Sequence, residues 1–138
     1  MSEASFTLDA RLAADTQPVT SLPLCDVLLM NDARYPWLIL VPRRTGLVEI
    51  SDMDATDQTL LWQEANHASA ALRAAVPFDK LNLGALGNIV RQLHVHLVGR
   101  REGDAAWPGP VWGNGRAQVY DDSAGEKLIT TLRQSLGN

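Results

Sequence analysis

The chain has 138 residues, 46% apolar and 20% charged, a balance that predicts one folded domain over residues 1–138 and excludes a disordered, charge-dominated chain. Its 12 Lys and Arg against 16 Asp and Glu give a net charge of −4, which opposes a general role in coating nucleic acid. A single cysteine, Cys25, excludes an internal disulfide and a multi-cysteine zinc knuckle, and no apolar run approaches the ~20 residues needed to cross a bilayer.

The opening MSEASFTLDA lacks the charged-then-apolar pattern of a secretory signal, so a reducing cytoplasm is the expected location. Phe6 to Ala14 can form a short amphipathic helix, with Leu8 and Leu12 four apart. CDVLLMND (Cys25 to Asp32) and WLILVPR (Trp37 to Arg43) are strand-sized apolar runs separated by ARYP, a hairpin pattern. Ser51 and Asp54 have capping-box spacing, which predicts a helix from about Asp52. Leu60, Leu61, Trp62, Ala65, Ala68, Ala71, Leu72 and Ala75 continue it at helical intervals until Pro77. His67 falls inside this helix and reads as a surface or packing residue. KLNLGAL and IVRQLHVHLVG are two more strand candidates, turned through Gly87 and Asn88. Leu128, Leu132 and Leu136 predict a terminal helix over Asp122 to Leu136. Without repeats or regular βαβ alternation, this order predicts an α+β fold with an antiparallel sheet.

QLHVHLVGRR, Gln92 to Arg101, holds two of the three histidines. On a strand, Gln92, His94, His96 and Val98 share one face, and Leu93, Val95 and Leu97 the other. Three explanations compete for the paired imidazoles. They can be a hydrogen-bonded rim pair. They can hold a metal, although the remaining ligands would have to come from elsewhere in the chain, so no metal site is assigned. They can act on phosphorus, one imidazole attacking while the other donates a hydrogen bond. From Lys80 to Arg101 there is no Asp or Glu, while Lys80, Arg91, Arg100 and Arg101 fall in that window. Those cations either form a locally positive anion site or solvate strand ends.

NLGALGNIVRQLHVHLVGR followed by WPGPVWG resembles the histidine-triad (HIT) family, whose signature is three histidines alternating with apolar residues. LLMND…WLILVPRR looks like that family's nucleotide-binding hairpin, and the resemblance covers about Leu22 to Trp112. It implies a five-stranded antiparallel sheet with one long central helix and a C-terminal helix, usually paired as a homodimer. It also implies a nucleotide hydrolase or nucleotidyl transferase acting at an α-phosphorus without a cofactor. Carried onto this chain, His94 would attack phosphorus and form a nucleotidyl-histidine, and His96 would hydrogen-bond the phosphate or leaving group. Asp32, beside Asn31, would hold ribose hydroxyls, and Asn82, Gly87 and Asn88 would contact the phosphate.

Gln92 stands where the family has its first histidine, and an amide cannot carry a proton near neutral pH. Ile89 stands where many members place a hydroxyl residue. The alternative reading is therefore a nucleotide-binding regulatory protein with little turnover. Trp107 and Trp112 are candidates for substrate contact or dimer packing.

Overall fold

A computed structural model describes residues 5–137. Five strands form one open antiparallel sheet: β1 (Thr16–Ser21), β2 (Cys25–Met30), β3 (Trp37–Pro42), β4 (Lys80–Gly84) and β5 (Val95–Arg100), in the order β1-β2-β3-β5-β4. Three helices accompany it: α1 (Ala10–Asp15), the long α2 (Ala55–Ala75) and α3 (Asp122–Ser135). The α+β reading and the two helices after the first hairpin therefore stand.

β2, β3 and β5 are the interior strands, and their alternating side chains bury on both faces. Val27, Leu29, Leu38, Leu40, Val95 and Leu97 meet Leu61, Ala65, Ala68 and Leu72 of α2 and Leu132 of α3 in one hydrocarbon cluster. Leu28, Tyr35, Trp37, Ile39, Val41 and Val98 form a second cluster with Leu12, Ala106 and Val111 on the other side. His96 lies on that second face, directly opposite Ile39 in the ladder.

Helix α2 begins later than its sequence suggests. Asp52 turns back to the amides of Glu49 (2.8 Å) and Val48 (3.2 Å), closing a 3₁₀ turn over Ile50–Asp52. The capping box is therefore Glu49 with Asp52, and Asp54 is left to cap α2 by accepting from the Asp57 amide. Ser51 has no part in it. Within α2, Glu64 is buried, and its carboxylate accepts from the amides of Leu24 and Cys25, each at 2.8 Å. This ties the helix to the turn between β1 and β2. Cys25 is also buried, and burial, reinforced by that carboxylate, pushes its thiol well above the usual range. His67 is exposed on the helix.

Two further expectations are corrected. Phe6 and Leu8 precede α1 rather than joining it, because Asp9 caps the helix at Ala10, and both pack against the second cluster. The run from Ile89 to Gly99 is not one strand: β5 starts only at Val95, and residues 85–94 form a loop instead of a tight turn. The Leu93 amide donates to Leu47 O at 3.0 Å, holding that loop against the segment after β3. Gln92 consequently shares no strand face with the histidines.

Gly99 fits where no side chain does. A Cβ there would collide with the Phe78 ring and lie 2.8 Å from Pro36 Cγ.

Candidate active site

His94 is the last residue before β5, and His96 is the second residue within it. Their rings meet edge to face at 4.9 Å between centroids. Both are largely buried in the protein, yet both line an open cavity of about 590 Å³ on the sheet face opposite α2. The rest of the wall comes from Arg11, from Met30, Asp32, Arg34 and Trp37 around the β2–β3 turn, from loop residues 86–90, and from residues 111–115 and Ala117.

The hydrogen-bond partners of the two imidazoles assign their tautomers. His94 Nδ1 lies 2.7 Å from the Gln92 carbonyl oxygen. A carbonyl only accepts, so Nδ1 carries the hydrogen and the Nε2 lone pair is left available. His96 is arranged the opposite way. Trp37 Nε1–H donates to His96 Nδ1 at 3.1 Å, which makes Nδ1 the acceptor and puts the hydrogen of the neutral ring on Nε2. Burial, with the neighbouring His94, pushes the His96 pKa down to about 3, so the ring is neutral at physiological pH. Trp112 packs edge-on to His96 at 5.4 Å and to Trp37 at 6.4 Å. One imidazole thus offers a lone pair and its neighbour an N–H.

The other expected residues are not all gathered at the cavity. Gly87 and Asn88 line it, and the positive φ of +70° at Gly87 bends the loop around its rim. Ile89 also lines it and is 73% exposed. Asp32 reaches the wall, but its carboxylate is already engaged by the Arg34 side chain at 2.8 to 3.3 Å and by the amides of Arg34 and Gln118. Burial acts to raise the Asp32 pKa, and these hydrogen bonds outweigh it, so the net shift is downward. Asn31 accepts from the Tyr120 amide at 3.0 Å and Asn82 from Arg100 at 2.9 Å; neither lines the cavity. Gln92 turns its amide to the N-terminal segment.

The acid-free window does not deliver its cations either. Arg100 is buried and bound by Asp104, Asn82 and the Gly109 carbonyl, with its guanidinium over the rings of Tyr35 and Trp107. The acid that neutralises it lies just past the window. The cavity's arginines are instead Arg11 and Arg34. These two and Trp37 are the residues that sequence reasoning missed. Only Trp37 left a signal: a buried indole N–H needs an acceptor. Trp112 lines the cavity, whereas Trp107 does not.

A larger groove of about 700 Å³ runs past the end of α2 and along α3 and shares Arg34 with the cavity, but no histidine lines it. Among the described residues, no group of three or more His, Cys, Asp or Glu is placed to hold a metal ion.

The chain matches the HIT domain over residues 11–103. It belongs to the HIT domain family. Solved structures of histidine-triad proteins agree with the fold along nearly its whole length. That from Sinorhizobium meliloti 1021 is 48% identical with a TM-score of 0.92, covering 94% of this chain and 96% of its own. The Bradyrhizobium japonicum protein is 47% identical with a TM-score of 0.94, covering 96% and 99%. The Marinobacter aquaeolei VT8 protein is 43% identical with a TM-score of 0.93, covering 96% and 97%. No curated protein matches the chain. Within this HIT domain, no described helix is long and apolar enough to cross a membrane.

Proposed function

We propose that this HIT domain protein binds nucleotides and acts at the α-phosphorus of a nucleoside phosphate derivative or dinucleoside polyphosphate, as a hydrolase or nucleotidyl transferase. The observation that carries the reading is the pair of adjoining imidazoles with complementary tautomers, opening into one cavity. His94 Nε2 attacks phosphorus as the bond to the leaving group breaks, and the leaving group departs with the electron pair. His96 Nε2–H donates to a phosphate oxygen, stabilising charge as it develops. Water, or the hydroxyl of an acceptor in the transferase case, then attacks the nucleotidyl-histidine and breaks the N–P bond; the electron pair of that bond returns to Nε2, restoring neutral His94, and the proton of the attacking O–H passes to solvent.

Gln92 occupies the first triad position in this reading. An amide has no proton to transfer, and a neutral His96 gives a hydrogen bond rather than a proton. Leaving groups that are stable as anions, such as a phosphate or a polyphosphate, are therefore favoured over those that must be protonated. Gly87 and Asn88 border the phosphate. A ribose hydroxyl donating to Asp32 would share that carboxylate with Arg34, and Asn31 and Asn82 act by holding Tyr120 and Arg100. The lone, buried Cys25 fits a reducing cytoplasm. Strand β4 lies at a sheet edge with Leu83 41% exposed, which supports a homodimer.

The test is to mix the protein with a dinucleoside polyphosphate labelled at the α-phosphorus, quench, and look for a base-stable, acid-labile protein adduct. Wild type should form the adduct and release mononucleotide; His94→Ala should form none and lose at least about 10³-fold in turnover. Nucleotide binding with neither adduct nor product in the intact protein would overturn catalysis and support the regulatory alternative.

A further inference from the structure

Gln92 stands in the loop before β5, and both ends of its amide are used. Oε1 accepts from the Asp9 amide and Nε2 donates to the Thr7 carbonyl, each at 2.8 Å. Thr7 O and Asp9 N flank Leu8, so the side chain grips the extended segment as a residue of a paired strand would. A primary amide presents its acceptor and donor side by side, as this grip requires; the two nitrogens of an imidazole diverge. Asp9 in turn accepts from the Arg11 amide at 2.8 Å and starts α1. Phe6, Leu8 and Leu12 seat the same segment on the second cluster.

The clamp therefore sets where Arg11 lies, and Arg11 lines the cavity with His94 and His96. Of the two arginines there, Arg34 is held by Asp32 at 2.8 Å. Arg11 has no ion-pair partner among the described residues. Arg11 is exposed, and an uncommitted guanidinium on the wall of the cavity that a phosphorus-directed imidazole also lines is suited to a second phosphate, which it can bind through paired N–H donors.

We propose that Arg11 is a specificity-determining residue that binds a phosphate beyond the α-phosphate, and that Gln92 is the positioning residue that holds it there. The inference rests on the nucleotide reading above. It assigns the glutamine a task that the first histidine of a triad would not perform: building one wall of the phosphate site from the N-terminal segment. The selected class is nucleotides with at least two linked phosphates.

The experiment compares ADP with AMP, bound to the full chain in chelator-treated buffer at constant ionic strength, by titration calorimetry. Wild type should favour ADP by about tenfold or more, the size of one charge-assisted contact. Arg11→Gln should lower the ADP-to-AMP affinity ratio by about tenfold. Gln92→Ala should lower it in the same direction and speed amide exchange over residues 6–12, and the double variant should fall no further than Arg11→Gln alone. Thermal melts confirm that each variant is folded. A ratio within twofold of wild type in Arg11→Gln overturns the inference, as does a Gln92→Ala effect that adds fully to it. Failure of wild type to bind either ADP or AMP would instead defeat the nucleotide reading beneath it.

Discussion

Both faces of the sheet are buried, but different material covers each. On one side α2 and α3 lay continuous hydrocarbon over Leu38, Leu40, Val95 and Leu97. On the other, an N-terminal segment with a short helix and the loop after β5 cover Trp37, Ile39 and Val98, and between them they leave the histidine cavity. A helix closes a surface because its side chains recur on one stripe. Loops close a surface only where a particular side chain reaches, so the gaps between them can hold polar chemistry. The two faces divide the work: one supplies stability, the other positions imidazoles and arginines.

Substitutions on each face test that division. Leu38→Ala, fully buried opposite Leu97 on the helix side, should cost about 2–5 kcal/mol in denaturant unfolding. Nucleotide affinity should stay near wild type wherever the variant remains folded; a comparable loss of affinity would show that the faces are not separable.

The cavity face should reveal itself through pH. His96 has a folded pKa of about 3 against 6.5 for an ordinary histidine. Between those values the unfolded chain binds a proton that the folded chain does not, so this contribution to stability is lost as pH falls below about 6.5. The loss should be about 2 kcal/mol from pH 7 to pH 5. Unfolding free energies at the two pH values measure it, and His96→Gln should remove that part of the slope. An unchanged slope in the variant would mean that the imidazole is not the group responsible.

The smallest effect sharpens the comparison most. Trp37→Phe keeps a ring on the cavity face but deletes the N–H donor to His96, which should cost about 1–2 kcal/mol. It also frees His96 to exchange tautomers. Nitrogen chemical shifts of the ring should report a mixed state in place of a single Nε2–H form, and turnover should fall about tenfold. A ring that stays in one form would show that the tryptophan does not set it.

Legibility in the sequence followed the same divide. The helix-covered face was readable because α2 carries apolar residues at helical intervals and β2 and β3 are strand-sized apolar runs, and the pairing of β4 with β5 followed from adjacent apolar runs. β1 was not readable: Thr16–Ser21 lies at the sheet edge, contains Pro18 and buries only Thr16 and Val19, so it has no alternating apolar pattern to notice. His94 and His96 were visible through their spacing, but the strand was read too far back, since Val90 and Leu93 look like strand residues whether they pair or wrap a rim. Arg11 and Arg34 were hidden for a different reason. Their value depends on which acids lie nearby in space, and Asp32 claims one while nothing described claims the other.

The clearance at Gly99 has a reach beyond its own strand. Pro36 touches the space a methyl group would fill there, accepts the Gly99 amide at 2.8 Å, and directly precedes Trp37. A methyl added at position 99 would displace the proline, and with it the origin of the indole that holds His96. The missing side chain of one residue thereby acts as a spacer for the ring across the sheet, and the alignment of the imidazole depends on that space being left to Phe78 and Pro36 on the far face.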